Sequence, residues 1–162
     1  MSDIVIVNGA RTAFGAFGGG LATQTATDLA VHAAKGAIDR AGVDKDQIDS
    51  VVMGNVIQTS KDAIYLGRHV GLRIGLKEST PGLILNLLCG SGVQAVATAA
   101  MQIKEGQSSM VLAGGTDREG GGRRLVNLPA QTGGTALTQG PGRGGEKDEE
   151  HEYQQCHSTL AG

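Results

Sequence analysis

Apolar positions fall along the chain in short blocks of changing period. Residues 3–8 are a β-branched run closed by Gly9, the pattern of a buried strand. A glycine-rich loop follows from Arg11 to Leu21. Thr25 or Thr27 is placed to cap a helix running to about Ala41, with Leu29, Ala33, Ala37 and Ala41 on one face and Gly42 as its terminator. Residues 49–57 read as a second strand. Residues 62–76 hold a short helix with Ile64, Leu66 and Val70 apolar and Arg68, His69 and Arg73 polar. A third strand over 83–88 ends abruptly at Cys89-Gly-Ser-Gly92. Val93 to Glu105 is a helix almost without charge, Gln94 and Gln102 being its main polar groups, so it is expected to be buried. Gly106 stops it, and Met110 to Gly115 is a fourth strand. The order β-α-β-α-β-α-β, with crossovers long enough for parallel pairing, predicts an α/β fold: a layered parallel sheet with helices on both faces. It leaves the fourth strand as an unpaired edge.

The pattern stops at Asp117. Residues 118–162 contain ten glycines and six strongly apolar side chains, Leu125, Val126, Leu128, Leu137, Cys156 and Leu160. They show no helical or strand period, and residues 146–152 are a solvated acidic stretch. Such a segment buries too little to offset its ordering entropy. The organisation expected is therefore one α/β domain at 1–117 and a disordered Gly-rich tail at 118–162.

Composition narrows the classes of function. Fourteen Lys+Arg against sixteen Asp+Glu, a net charge of -2, offer no electrostatic case for nucleic acid or an anionic membrane. No apolar run approaches the roughly 18 residues of a spanning helix, and nothing at the N-terminus reads as a signal peptide. Two cysteines, Cys89 and Cys156, are too few for a disulfide framework. A cytoplasmic protein is expected. Aromatics number only four, Phe14, Phe17, Tyr65 and Tyr153, so the core has to be built from Val, Ile, Leu and Ala.

The candidate chemistry centres on Cys89, which follows an apolar strand and opens a helix. Free N–H groups and the helix dipole at that point favour an anion, and so a thiolate. Gly90 and Gly92 are expected to permit a sharp bend and close substrate approach, and Ser91 to cap the helix. The carboxyl edge of a parallel sheet is where open α/β folds place their chemistry. The competing reading is an inert buried cysteine. Other candidates are weaker. His151, Cys156 and His157 lack metal-ligand spacing, and no metal is expected. Arg11 and Thr12 sit in a glycine loop without a phosphate-cradle motif. Gly114 and Gly115 read as a turn requirement, and Asn55 and Gln58 as solvated loop amides near the Cys89 edge.

Asn86-Leu-Leu-Cys-Gly-Ser-Gly92 closely resembles the nucleophile motif of thiolases. Val5 to Gly15, Ser50 to Gln58, Asp62 to Leu72 and Met110 to Thr116 resemble, in order, other segments of that family's N-terminal half, with the helix before the cysteine closest to the 3-ketoacyl-CoA thiolase branch. The resemblance covers about residues 3–117 and implies an incomplete thiolase-like α/β half. It implies an acyltransferase in which Cys89 forms an acyl-thioester, in thiolysis of 3-ketoacyl-CoA or condensation of acetyl-CoA. Coenzyme A and acyl-CoA are then substrates, with no further cofactor, and an intact member is expected to be a homo-oligomer. Localisation is cytoplasmic, with the mitochondrial matrix as the alternative.

The departures are specific. The family draws base and oxyanion groups from a second half, in Gly-His-Pro, Asn-Glu-Ala-Phe and Cys-x-Gly contexts. Cys156 is followed by His157-Ser158, and none of His32, His69, His151 or His157 stands in such a motif. Leu87 occupies a place where the family usually has Arg. The expected turnover of this chain is therefore weak or nil. The alternative readings are a non-catalytic interaction or dimerisation module, and a thiolase remnant whose residues 118–162 arise from a frame shift; a functional acidic tail rivals the frame shift.

Overall fold

The computed structural model describes residues 3–16 and 18–118 together with the backbone of 134–139. In chain order it contains β1 (Val5–Arg11), α1 (Ala26–Ala41), β2 (Ser50–Gly54), α2 (Leu66–Ile74), β3 (Gly82–Leu85), α3 (Ser91–Lys104), β4 (Met110–Gly115) and β5 (Gly134–Gln139). Single 3₁₀ turns lie at Lys45–Gln47 and Ala63–Tyr65. One five-stranded sheet runs in the order β1-β5-β4-β2-β3. β2 pairs in parallel with both β3 and β4, while β5 is antiparallel to its neighbours β1 and β4. Strands β1 to β4 therefore all point one way, as the crossover pattern predicts.

β5 corrects two expectations. Residues 118–162 were assigned no regular element, yet 134–139 forms a strand inserted between β1 and β4. Consequently β4 is an interior strand, and the edges are β1 and β3. The sequence Gly134-Thr-Ala-Leu-Thr-Gln139 has one large apolar side chain, too few to show a period of two. What defines this strand is backbone pairing on both sides.

Strand alternation sorts the core into two layers. Val51 and Met53 of β2 and Met110 and Leu112 of β4 face α1 and α2, meeting Ala30, Ala34, Ile38, Leu66 and Val70. Val52, Val111 and Ala113 face the other way, onto Ala95, Ala99 and Ile103 of α3. Each fully buried Val, Leu or Met contributes on the order of 1.5–3 kcal/mol. Small Ala faces on α1 and α3 let both helices lie close to the sheet without aromatic filler.

α1 begins as the sequence predicts. Thr25 Oγ1 accepts from the Asp28 N–H at 3.0 Å, and Asp28 Oδ2 accepts from the Thr25 N–H at 2.8 Å, a reciprocal capping box. The Thr25 N–H, aided by Arg73 at 2.6 Å, holds the Asp28 carboxyl below the ordinary carboxylate range. The same Arg73 ties α2 to the start of α1. Gly42 ends α1 in the left-handed region with its N–H on Ile38 O.

α3 departs from the expectation of a wholly buried helix. Its stripe Ser91, Ala95, Ala99 and Ile103 is buried, but Val93 is 79% and Met101 59% exposed. Absence of charge is not burial: the outer face is apolar and open.

The N-terminus of α3 rests directly on the backbone of the sheet. A Cβ at Gly54 stands 2.7 Å from both the carbonyl carbon and oxygen of Ser91, and one at Gly115 stands 3.0 Å from Gly92 Cα. Neither opposing group is a flexible side chain, so the helix has to lift to admit a methyl group. Gly54→Ala is expected to lower stability by about 1–3 kcal/mol, read as a lower urea midpoint with an unchanged slope. A wild-type midpoint would show that the contact is slack.

Candidate active site

Five residues, 86–90, carry the chain from the end of β3 to the start of α3. The turn is held by side chains as much as by backbone. Leu88 N–H donates to Asn86 Oδ1 at 2.9 Å, and Leu87 N–H donates to Ser91 Oγ at 2.9 Å. Ser91 Oγ in turn donates to Leu88 O at 2.6 Å. Gly90 N–H reaches Leu87 O and Ser91 N–H reaches Leu88 O, both at 3.0 Å. Cys89 stands next in the chain as an exposed free thiol, with Gly90 as the N-cap of α3.

Two details differ from the sequence reading. Ser91 does not cap: it is the first helical residue, and its hydroxyl reaches backward to the turn rather than forward to the helix N–H groups. Nor do Gly90 and Gly92 supply the bend. The left-handed residue is Leu88, with φ of 48°, the one non-glycine among the described residues at positive φ. Such a conformation costs a non-glycine residue on the order of 1–3 kcal/mol. It persists because its neighbours over-determine it.

The strand ends beside this turn are locked together. Asn55 N–H donates to Leu85 O at 3.1 Å and Thr116 N–H to Gly54 O at 2.9 Å, joining β2 to β3 and β4 beyond the ladder. Asp117 Oδ1 accepts three donors: Asn55 Nδ2 at 2.9 Å, Val56 N–H at 2.9 Å and Ile57 N–H at 2.8 Å. Asn55 Nδ2 also donates to Thr116 O at 2.8 Å. Thr116 Oγ1 donates to Ala26 O at 2.9 Å, fastening this corner to the start of α1. Burial pushes the Asp117 carboxyl above the ordinary carboxylate range, against the pull of the Ile57, Val56 and Asn55 donors.

Other predicted candidates separate. Asn55, read as a solvated loop amide, is wholly buried and belongs to the Asp117 corner, whereas Gln58 is exposed. Gly115 ends β4 in close contact with α3 rather than forming a turn. Arg11 is exposed with its guanidinium 4.5 Å from the Phe14 ring centroid, and Thr12 is buried. His32 is exposed on α1; His69 on α2 lies 3.5 Å from Asp62 and against the Tyr65 ring. His151, Cys156 and His157 fall outside the described residues, among which no group of His, Cys, Asp and Glu could hold a metal ion. Sequence reasoning missed Asp117, used only as a boundary, and Asn86. An acid two residues after an apolar strand and an Asn directly before a turn were the available signals.

The Asp117 corner has a measurable pH signature. Its raised folded value means that folding binds a proton, so its contribution is fully present below the ordinary carboxylate value near about 3.9 and is lost as pH rises through the folded value. Asp117→Asn removes that loss while keeping an acceptor oxygen. Urea midpoints taken from acid to neutral pH are expected to show the variant equal to or above wild type at neutrality and less pH-dependent. Asp117→Ala strands the Val56 and Ile57 donors and costs about 1–3 kcal/mol. An Asn variant as weak as the Ala variant would remove this account.

Comparison with known proteins agrees with the geometry. Residues 4–124 match the family model for the thiolase N-terminal domain. The human mitochondrial 3-ketoacyl-CoA thiolase is 49% identical over 117 residues, covering 72% of this chain and 30% of that protein. An acetyl-CoA acetyltransferase of Escherichia coli is 39% identical over 133 residues, covering 82% of this chain and 34% of that protein. The crystal structure of the human mitochondrial enzyme in complex with CoA superposes with a TM-score of 0.68 at 49% identity, over 68% of this chain and 28% of that one. The Bacillus anthracis acetyl-CoA acetyltransferase gives 0.67 at 33% identity, over 81% and 36%. The chain thus spans about a third or less of the length of these two curated relatives. With its α/β sheet, its strand-to-helix turn and the matched residues, this chain belongs to the thiolase family.

Proposed function

We propose that Cys89 is the acyl-accepting nucleophile of a thiolase-type acyltransferase. The observation that carries this reading is the placement of an exposed free thiol on a braced turn at the N-terminus of α3, at the carboxyl edge of the parallel strands. In thiolysis the Cys89 thiolate adds to the 3-keto carbonyl of a 3-ketoacyl-CoA. The carbon–carbon bond between the keto carbon and the carbon next to the thioester breaks, and its electron pair leaves on acetyl-CoA, which takes up a proton. The acyl group remains as a thioester on sulfur, and the thiol of free coenzyme A removes it with loss of a proton to a base. In the synthetic direction Cys89 carries an acetyl group that the enolate of a second acetyl-CoA attacks.

The solved human relative is in complex with CoA, which supports coenzyme A as the substrate carrier here. The matched human 3-ketoacyl-CoA thiolase is mitochondrial by name, so the mitochondrial alternative has more support than the cytoplasmic one. The family's base and oxyanion groups belong to a second half, and one member of a cooperating catalytic set supports only residual rate. Single acylation of Cys89 is therefore expected, with little turnover. Incubation with acetyl-CoA should add one hydroxylamine-labile acetyl group to the wild-type chain and none to Cys89→Ser, read by intact-mass spectrometry. No adduct on either protein overturns the proposal.

A second reading, a non-catalytic association module, is favoured by exposed Val93 and Met101 on α3 and by exposed Leu87 and Leu88 in the turn that precedes it. Size-exclusion chromatography is expected to show self-association, or binding to a full-length relative, that weakens in Val93→Ser. A monomer that binds neither removes this reading.

A further inference from the structure

Beyond the nucleophile itself, we infer that Asn86 and Ser91 are positioning residues for Cys89. Between them they hold Leu88 in the left-handed conformation, and Leu88 sets the direction in which the chain enters α3 and presents the thiol. The inference rests on the reading of Cys89 as the nucleophile.

The geometry is that of a two-sided clamp. The Leu88 residue is gripped at its N–H by Asn86 Oδ1 and at its carbonyl by the Ser91 hydroxyl. The preceding N–H, on Leu87, is taken by the same Ser91 oxygen. Ser91 Oγ thus acts as donor and acceptor at once, which uses the hydroxyl proton in one direction only. Leu88 is 70% exposed, so no packing of its own side chain holds it at φ of 48°. Hydrogen bonds from residues two before and three after it do so instead.

Each jaw of the clamp is itself anchored. Ser91 is 4% exposed and lies against Gly54, whose hydrogen leaves no room for it to move toward the sheet. Asn86 Nδ2 reaches Val56 O at 3.4 Å, and the Val56 N–H is held by Asp117. The Nδ2 contact is long, so the acceptor role of Asn86 Oδ1 is the one that matters. If either jaw is lost, Leu88 relaxes toward an ordinary right-handed or extended conformation. Cys89, the next residue, then loses the place that the turn gives it at the start of α3.

The test follows iodoacetamide alkylation of the Cys89 peptide by mass spectrometry at one pH, on folded protein, with the Cys156 peptide as an internal control. Asn86→Ala and Ser91→Ala are each expected to slow alkylation of Cys89 severalfold, because the thiol is no longer held in one place, and to leave Cys156 unchanged. The decisive variant is Leu88→Gly in the Asn86→Ala background. Glycine occupies the left-handed region without strain, so it should restore the rate toward that of wild type. A merely structural role for Asn86 predicts no such rescue. Should Ser91→Ala fail to fold, the exposed Asn86 and its Leu88→Gly partner decide the matter. Wild-type rates in folded Asn86→Ala, or no rescue by Leu88→Gly, overturn the inference. Absence of acetyl transfer to wild-type Cys89, with the alkylation pattern intact, would instead overturn the nucleophile reading and leave the clamp standing.

Discussion

The structure depends on how closely the first turn of α3 approaches the backbone of the sheet. At the ends of β2 and β4, Gly54 and Gly115 replace side chains with hydrogen, and the helix lies against peptide groups rather than on a cushion of methyls. Interiors are packed too densely for such a contact to be approximate. With α3 seated in this way, Ser91 is fixed relative to β2. Its hydroxyl can then bridge the Leu87 N–H and the Leu88 carbonyl, and Cys89, which lies between Leu88 and Ser91, acquires a defined place. A methyl group on the sheet would be felt at the thiol through one buried serine.

The same edge is closed on its other side by Asp117. One carboxylate oxygen gathers the side chain of Asn55 and the N–H groups of Val56 and Ile57, which ties the loop after β2 to Asp117, two residues beyond β4. Because the group is partly desolvated, this arrangement opposes the ordinary ionisation of an aspartate. The α1–α2 side of the sheet shows the opposite case. There Asp28 is stabilised in its charged form by the Thr25 N–H and by Arg73, and the pair secures the start of α1. Burial in the first case and donor geometry in the second decide the sign.

Much of this architecture was legible in the chain. The apolar runs located β1, β2 and β4, although β1 continues past Gly9 to Arg11, and Thr25 and Gly42 marked the limits of α1. The motif around Cys89 announced the turn from strand to helix. What was illegible lay where a residue's role comes from a distant partner. Asn55 resembles any polar loop residue until Thr116 and Asp117, more than sixty positions on, supply its acceptors. The segment 134–139 has no pattern of its own and becomes a strand because β1 and β4 both offer it a free ladder. An uncharged α3 gave no hint that one flank would stay open, since the count of charges says nothing about what covers a face.

By itself, then, the sequence determined the succession of strands and helices, the family and the residue on which chemistry is expected to turn. Those properties are local: they depend on side-chain periodicity, capping chemistry and a run of seven residues. Only the tertiary structure decided that β5 sits inside the sheet, that Leu88 rather than a glycine takes the left-handed turn, and that Ser91 reaches back instead of capping. The first is settled by strands far apart in the chain that share one ladder with 134–139; the other two depend on Ser91 being seated against Gly54 of a distant strand, which sets where its hydroxyl can reach, and no local pattern records that contact.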